Sequence, residues 1–190
     1  TRSAPPSGSS RVARLQRVFI DTSELFPFTI MDVLLTLAED FLFTWVWTDQ
    51  ILDEWTDVIV REGKRSPESA ASVAAAVRTH FGRYRVDPAL YPDDRVHAAA
   101  AIHGDVDVLL TRNLKHLRTK PVLAAGVKVS TSDDFLCELL IHRSQGVLES
   151  FIRAADSRRN PPMTPQELAD KISTAGAPRF AERLRPHLPR

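Results

Sequence analysis

The 190 residues include a single cysteine, so no intrachain disulfide can form and no cysteine-based zinc site is suggested. Cys137 stands in the apolar run FLCELL and reads as a small buried hydrophobe. No apolar stretch is long enough to span a bilayer, and residues 1–16 lack the apolar core of a signal peptide. A cytoplasmic protein is therefore the expectation. No glycine-rich loop follows the first strand candidate; the chain runs from Asp21 straight into TSELFPF, which speaks against a dinucleotide or phosphate cradle. A phosphoaspartate hydrolase needs a second Asp two residues after the first, and Ser23 stands there. The six histidines have no tight ligand spacing, and His97 and His103 read as helix-surface or packing residues. Net charge is only +1, so the chain as a whole is no basic glove for nucleic acid.

What the chain does have is 43% hydrophobic residues, enough for one compact α/β domain with an appendage. Charge is unevenly placed: residues 151–190 hold eight Lys/Arg against four Asp/Glu, leaving the rest of the chain acidic. An acidic body with a basic tail could set a metal centre beside a phosphate-attracting surface, although charge alone favours a solvated tail. Residues 1–10, TRSAPPSGSS, read as a disordered leader. The organisation expected is a leader over 1–16, an α/β domain over 17–145 and a basic helical extension over 146–190.

Short β-rich runs alternate with helical spacing. RVFIDT (17–22), TWVW, YRV (84–86), DVLLT (107–111) and VKVS (127–130) are the strand candidates. Every interior position of DVLLT is apolar, which suits a parallel strand buried on both faces. Apolar spacing predicts helices over 29–40 and through ILDEWTDVIV, the latter capped by Thr48 or Asp49. Ser66-Pro67 opens another, Pro92 starts one that Gly104 stops, and a further helix starts near Ser132. In the extension, Arg158 to Pro162 is a linker or turn. Thr164-Pro-Gln-Glu167 is a capping box, and a last helix covers roughly 178–184. The alternation argues for a parallel sheet flanked by helices on both faces.

Ligands bind outside the carboxyl ends of the strands in such sheets, and three acids fall there. Asp21 ends the first strand and is followed by Thr22 and Ser23; a helix cap or an Asx turn is its ordinary reading. Glu54 shares a helix face with Ile51, Trp55 and Val58, while Asp53 and Asp57 point to solvent. A carboxylate on that face needs a partner, and a metal ion or a core arginine would serve equally. Asp93 and Asp94 occupy a helix first turn, where acids are favoured by the dipole alone. Phase aligns Asp94 with Ala98 and Ala101, and Asp93 with His97 on the exposed side. Thr111 and Asn113 fall at the carboxyl end of DVLLT, and Asp107 at the opposite end, which makes it a poor ligand. Oxygen donors without Cys or organised His select Mg²⁺ or Mn²⁺ over Zn²⁺. Clustered carboxylates with a hard cation suit phosphodiester hydrolysis, in which the metal acidifies a water and neutralises transition-state charge.

VFIDTSEL (18–25), ILDEW (51–55), YPDDRVHAAAAI (91–102) and DVDVLLTRNLKHL (105–117) resemble, in order and spacing, the motifs of the PIN-domain nucleases, most of all the bacterial group that includes VapC-type toxins. The resemblance covers about residues 17–140. It implies a PIN-like α/β fold, an acidic pocket holding Mg²⁺ or Mn²⁺, and endonucleolytic cleavage of RNA. Carried over by motif, Asp21, Glu54 and Asp94 are the catalytic acids and metal ligands. Thr22, Ser23 and Thr111 support them, Thr111 by holding a water or orienting Asp94. The family commonly has a fourth acid where this chain has Asn113, whose carbonyl can ligate without charge. One firmly bound ion is therefore expected. Arg112 and Lys115 are candidates for RNA phosphate contact, with a plain solvated loop as the alternative. The resemblance also brings in a cognate antitoxin as partner. Four roles stay open for the extension: covering the pocket, forming a homodimer contact, receiving the antitoxin, or adding a basic RNA-binding face. The competing reading is a non-catalytic PIN-like module that binds RNA or protein, with Asn113 marking a decayed site.

Overall fold

The computed structural model describes residues 14–87 and 96–189. The leader, the start of the helix at Pro92, and Asp93 and Asp94 lie outside the described residues.

Four strands, β1 (Arg17–Ile20), β2 (Thr44–Val46), β3 (Val108–Leu110) and β4 (Lys128–Ser130), form one sheet in the order β2-β1-β3-β4. All three pairings are parallel, with Phe19 opposite Val46 on one side and Leu109 on the other. Val18, Phe19 and Ile20 are all buried, as are Val108, Leu109 and Leu110. Successive side chains of a strand point to opposite faces, so both faces of the sheet are covered. Parallel strands need crossovers, and helices supply them. The pair α1 (Thr22–Leu25) and α2 (Phe28–Glu39) joins β1 to β2. The long excursion through α3 (Asp49–Arg61), α4 (Pro67–His80) and α5 (Val96–His103) leads to β3. Two short helices, α6 (Leu114–Leu117) and α7 (Lys120–Ala124), precede β4.

The strand order has a consequence for function. The chain steps from β1 to β2 on one side, then returns to place β3 on the other side of β1. The gap between the carboxyl ends of β1 and β3 is thus the topological switch point, where open α/β sheets hold their ligands.

The local signals behave as their chemistry requires. Thr48 caps α3 by accepting from the Ile51 amide, and Ser66 caps α4 by accepting from the Ser69 amide. One expectation needs correcting: YRV is not a strand. Gly82–Tyr84 form a 3-10 turn and Arg85 makes only a single parallel bridge to Trp47. The Trp47 indole N–H donates to the Phe81 carbonyl and holds that turn against the sheet edge, so the backbone extends only at Arg85, after the turn has closed.

The basic tail is not a solvated appendage, contrary to what charge alone favoured. Helices α8 (Ser132–His142), α9 (Ser144–Asp156), α10 (Pro165–Ala175) and α11 (Pro178–Leu184) pack on one another, and α9 and α10 also pack on α2. Phe151, Leu168, Phe180 and Leu184 are fully buried, and Phe151 meets Phe180 edge-to-face with ring centroids 6.0 Å apart. Each such side chain stabilises by about 1.5–3 kcal/mol relative to exposure. The Thr164–Glu167 capping box forms as read, and the Asp133 carboxylate accepts from the Phe180 amide at 2.8 Å to cap α11. Arg158 pairs with Asp32 on α2; burial pushes the Asp32 carboxyl up, and the guanidinium beside it works against that shift. Cys137 is buried as expected, and burial pushes its thiol up, away from a reactive thiolate. Among the described residues, no helix is long and apolar enough to cross a membrane.

Candidate active site

Asp21 lies one residue past β1, where its amide still donates to the Leu110 carbonyl at 2.8 Å. That bond carries the β1–β3 ladder one step further and plants Asp21 at the switch point. The residue is 6% exposed and occupies the N-cap position of α1, yet its side chain makes no cap bond. The ordinary reading of this aspartate as a helix cap therefore fails. Its Oδ2 accepts instead from two hydroxyls, Ser23 Oγ at 2.6 Å and Thr111 Oγ1 at 2.9 Å.

Each hydroxyl has one proton to give and two lone pairs to offer. Both give their proton to Asp21. In return, Ser23 Oγ accepts from the Arg112 amide at 3.0 Å, and Thr111 Oγ1 accepts from the Asn113 amide at 3.0 Å. Residues 21–23 after β1 and 111–113 after β3 are thus stitched together through a single carboxylate oxygen. Thr111, expected to hold a water or orient Asp94, spends its proton on Asp21. Asn113 itself is exposed at the N-cap of α6, where its side chain makes no cap bond. Lys115 is exposed on the same helix.

Glu54 comes from α3, whose register is fixed by the Trp55 indole N–H donating to the Leu25 carbonyl at 3.1 Å. Glu54 Oε2 accepts from Thr22 Oγ1 at 3.0 Å, so the two acids are linked through adjacent residues of one turn. Gln50, one turn earlier, donates to Oε1 at 3.1 Å. Asp53 turns away to Arg78 at 3.0 Å and Asp57 is exposed, as helical phase predicts.

His97 was read as a surface or packing residue, aligned with Asp93 on the exposed side. Its Nε2 lies 2.9 Å from Glu54 Oε2, and its side chain is only 18% exposed. The phase reading misjudged it because Ala98, Ala99, Ala100 and Ala101 are all buried. A helix of small residues packed nearly all round has no exposed stripe by which to sort its positions.

Glu24 is an acid that sequence reasoning passed over. It is 2% exposed, with Oε1 accepting from the Ser132 amide at 3.0 Å and Oε2 from Arg112 Nε at 3.3 Å. From sequence it is one more acid in a helix first turn, a place that favours acids anyway. With both oxygens engaged it ties the Asp21 turn to the start of α8. Arg112, read as an RNA contact, also donates from Nη2 to the Ala175 carbonyl at 2.5 Å. Asp107 sits at the far end of β3 and accepts from the Arg17 amide at 2.7 Å, as its position on the strand implied.

Among the described residues no group of three His, Cys, Asp or Glu side chains is close enough to hold a metal ion, and Asp94 is not among them. The donors that are present fit a hard cation. Asp21 and Glu54 offer carboxylate oxygens amid hydroxyls at the sheet's carboxyl edge, and no sulfur ligand is near.

Comparison with known proteins gives the chain two likenesses. Residues 132–186 match a family model described as the VapC50 C-terminal domain. Over 92 residues the chain is 30% identical to "Putative ribonuclease VapC50" of Mycobacterium tuberculosis (strain ATCC 25618 / H37Rv), a stretch covering 48% of this chain and 54% of that protein. The chain thus spans about half the length of the curated relative it matches. No solved structure matches it.

Proposed function

The chain is related to the VapC-type PIN ribonucleases, and from that premise we propose that it is a Mg²⁺- or Mn²⁺-dependent endoribonuclease with Asp21, Glu54 and Asp94 as its acids. The observation that carries the reading is the Asp21 carboxylate, buried at the switch point with one oxygen fixed by Ser23 and Thr111. Such fixing orients the carboxylate. Oδ1 accepts no hydrogen bond among the described residues and is left to act as a ligand. Glu54 is held in the same way by Thr22, with His97 set against its second lone pair. Asn113, exposed after β3, would offer an uncharged carbonyl in place of a fourth acid. When bound, the cation supplies the acidity and positive charge that phosphodiester hydrolysis needs, so no nucleophilic side chain is required. RNA is the substrate in this reading, and a cognate antitoxin is the partner of a toxin so equipped.

The test is cleavage of RNA in Mg²⁺ or Mn²⁺ by the wild type, by Asp21→Asn and by Asp94→Asn. Each variant is expected to abolish cleavage, and undiminished cleavage by the double variant overturns the assignment. Asn113 favours one second reading, a PIN-like module that binds RNA or protein without cutting. Calorimetric titration separates the two, since absence of binding at millimolar Mn²⁺ supports the non-catalytic module.

A further inference from the structure

A cavity of about 390 Å³ opens beside β4, between α6, α8 and α11. Four cations line it, Arg118, Lys128, Arg179 and Arg183, against two acids, Asp134 and Glu138. The acids already have partners: Lys128 pairs with Glu138, and Arg179 with Asp134. Among the described residues, the exposed side chains of Arg118 and Arg183 have neither a hydrogen bond nor an ion pair. The cavity therefore carries two uncompensated guanidinium groups, the chemistry that best matches phosphate oxygens.

Its place in the fold ties it to the candidate active site. Arg118 follows α6, which begins immediately after Asn113. The Ser130 carbonyl on its wall accepts from the Thr111 amide, and Thr111 in turn holds Asp21. Asp21 extends β1, and the cavity borders β4, two strands away. That separation is about 10 Å at ordinary strand spacing. A single strand crossing the carboxyl edge of the sheet would lay a neighbouring phosphate there. Ile141, 65% exposed at the rim, offers apolar surface to an unstacked base.

We propose that Arg118 and Arg183 form a phosphate subsite that grips single-stranded RNA one or two nucleotides from the cleavage centre. The inference rests on the ribonuclease reading above. An acidic protein segment is the rival occupant, but the cavity presents two isolated guanidiniums beside a phosphodiester-cutting centre, which favours the nucleic acid.

The test measures binding of a fluorescein-labelled single-stranded RNA to the full chain in EDTA, over a salt series, so that cleavage plays no part. Two phosphate contacts to a single strand contribute about 1.4 to the slope of log affinity against log salt. Arg118→Gln combined with Arg183→Gln is expected to lower the slope by that amount. The corresponding loss is about 25-fold in affinity at about 0.1 M salt, taking the affinities to converge near 1 M. Replacement of both by lysine keeps the charges and is expected to restore the slope. Arg61→Gln, an exposed charge on α3, is the control for general charge loss. An unchanged slope and affinity in the double glutamine variant overturns the subsite. So does binding of poly-glutamate that depends on these arginines while RNA binding does not. If RNA binding depends on them and no metal supports cleavage, the subsite stands and the nuclease reading falls.

Discussion

Thr111 and Asp21 lie 90 residues apart in sequence and meet at 2.9 Å, where the threonine hydroxyl donates to one carboxylate oxygen at the carboxyl edge of the sheet. Thr111 is fully buried, so this proton has no water to compete for it. Thr111→Val keeps the shape and removes the proton donor. It also leaves the Asn113 amide without its acceptor. Groups that orient a ligating side chain typically matter 10–100-fold, so a drop of roughly that size is expected in Mn²⁺ affinity by calorimetry and in RNA cleavage. Thr111→Ser should retain most of both. A valine variant with wild-type metal affinity and rate would show that the hydroxyl does not tune the site.

The second carboxylate depends on a tryptophan. Trp55 is fully buried, and its indole N–H satisfies the Leu25 carbonyl at the end of α1. Trp55→Phe leaves that carbonyl unpaired, which costs about 1–3 kcal/mol. It also loosens α3 against the turn that carries Thr22. Denaturant unfolding is expected to show the loss in the midpoint, with cleavage reduced as well. A stable but fully active phenylalanine variant would mean that Glu54 is positioned by Thr22 and His97 alone.

Much of this arrangement is legible in the sequence wherever one chain segment decides the matter. Asp21, Thr111 and Glu54 follow from strand direction and helical phase, and the caps at Thr48, Ser66 and Thr164 follow from side chains reaching amides a few residues on. What is not legible depends on contacts between distant segments. Glu24 is an unremarked helix-turn acid until Arg112 and Ser132 arrive from 88 and 108 residues away. His97 looks external because phase assumes an exposed stripe, and an alanine-rich helix buried nearly all round has none. YRV has strand composition, but its Tyr84 closes a 3-10 turn and only Arg85 is left to bridge Trp47. Apolar content does not reveal that the basic tail is packed onto α2, because its buried residues are spaced for helices that could pack on anything.

The capping box of α10 makes stability depend on acid. Glu167 accepts from both the Thr164 amide and its hydroxyl, and these bonds hold its carboxyl below the usual carboxylate range. A depressed folded value means the stabilisation is present above the unfolded carboxyl pKa and is lost as pH falls through the folded one. Glu167→Gln keeps an acceptor without a titrating charge, so its unfolding midpoint should change less with acidification than that of the wild type. Thr164→Ala removes the cap itself and costs about 1 kcal/mol at neutral pH. Identical acid dependence in the wild type and the glutamine variant would remove this carboxylate from the pH response.

A glycine holds the tail against the candidate site. Gly176 has φ +122°, a backbone region that side chains rarely adopt, and a Cβ there would stand 2.5 Å from Arg112 Nη2. Arg112 cannot simply move aside, since it also reaches the buried Glu24 and the Ala175 carbonyl, and its amide holds Ser23. Gly176→Ala should therefore act twice. Backbone strain costs about 1–3 kcal/mol, read as a lower unfolding midpoint. Displacement of Arg112 leaves Glu24 as a buried carboxylate short of a partner and loosens the 111–113 loop, read as weaker Mn²⁺ binding. Arg112→Ala relieves the clash but not the lost ion pair. In the Arg112→Ala background the added alanine at 176 should cost only the backbone strain. If the two substitutions prove strictly additive in both stability and metal binding, the tail does not communicate with the site through this arginine.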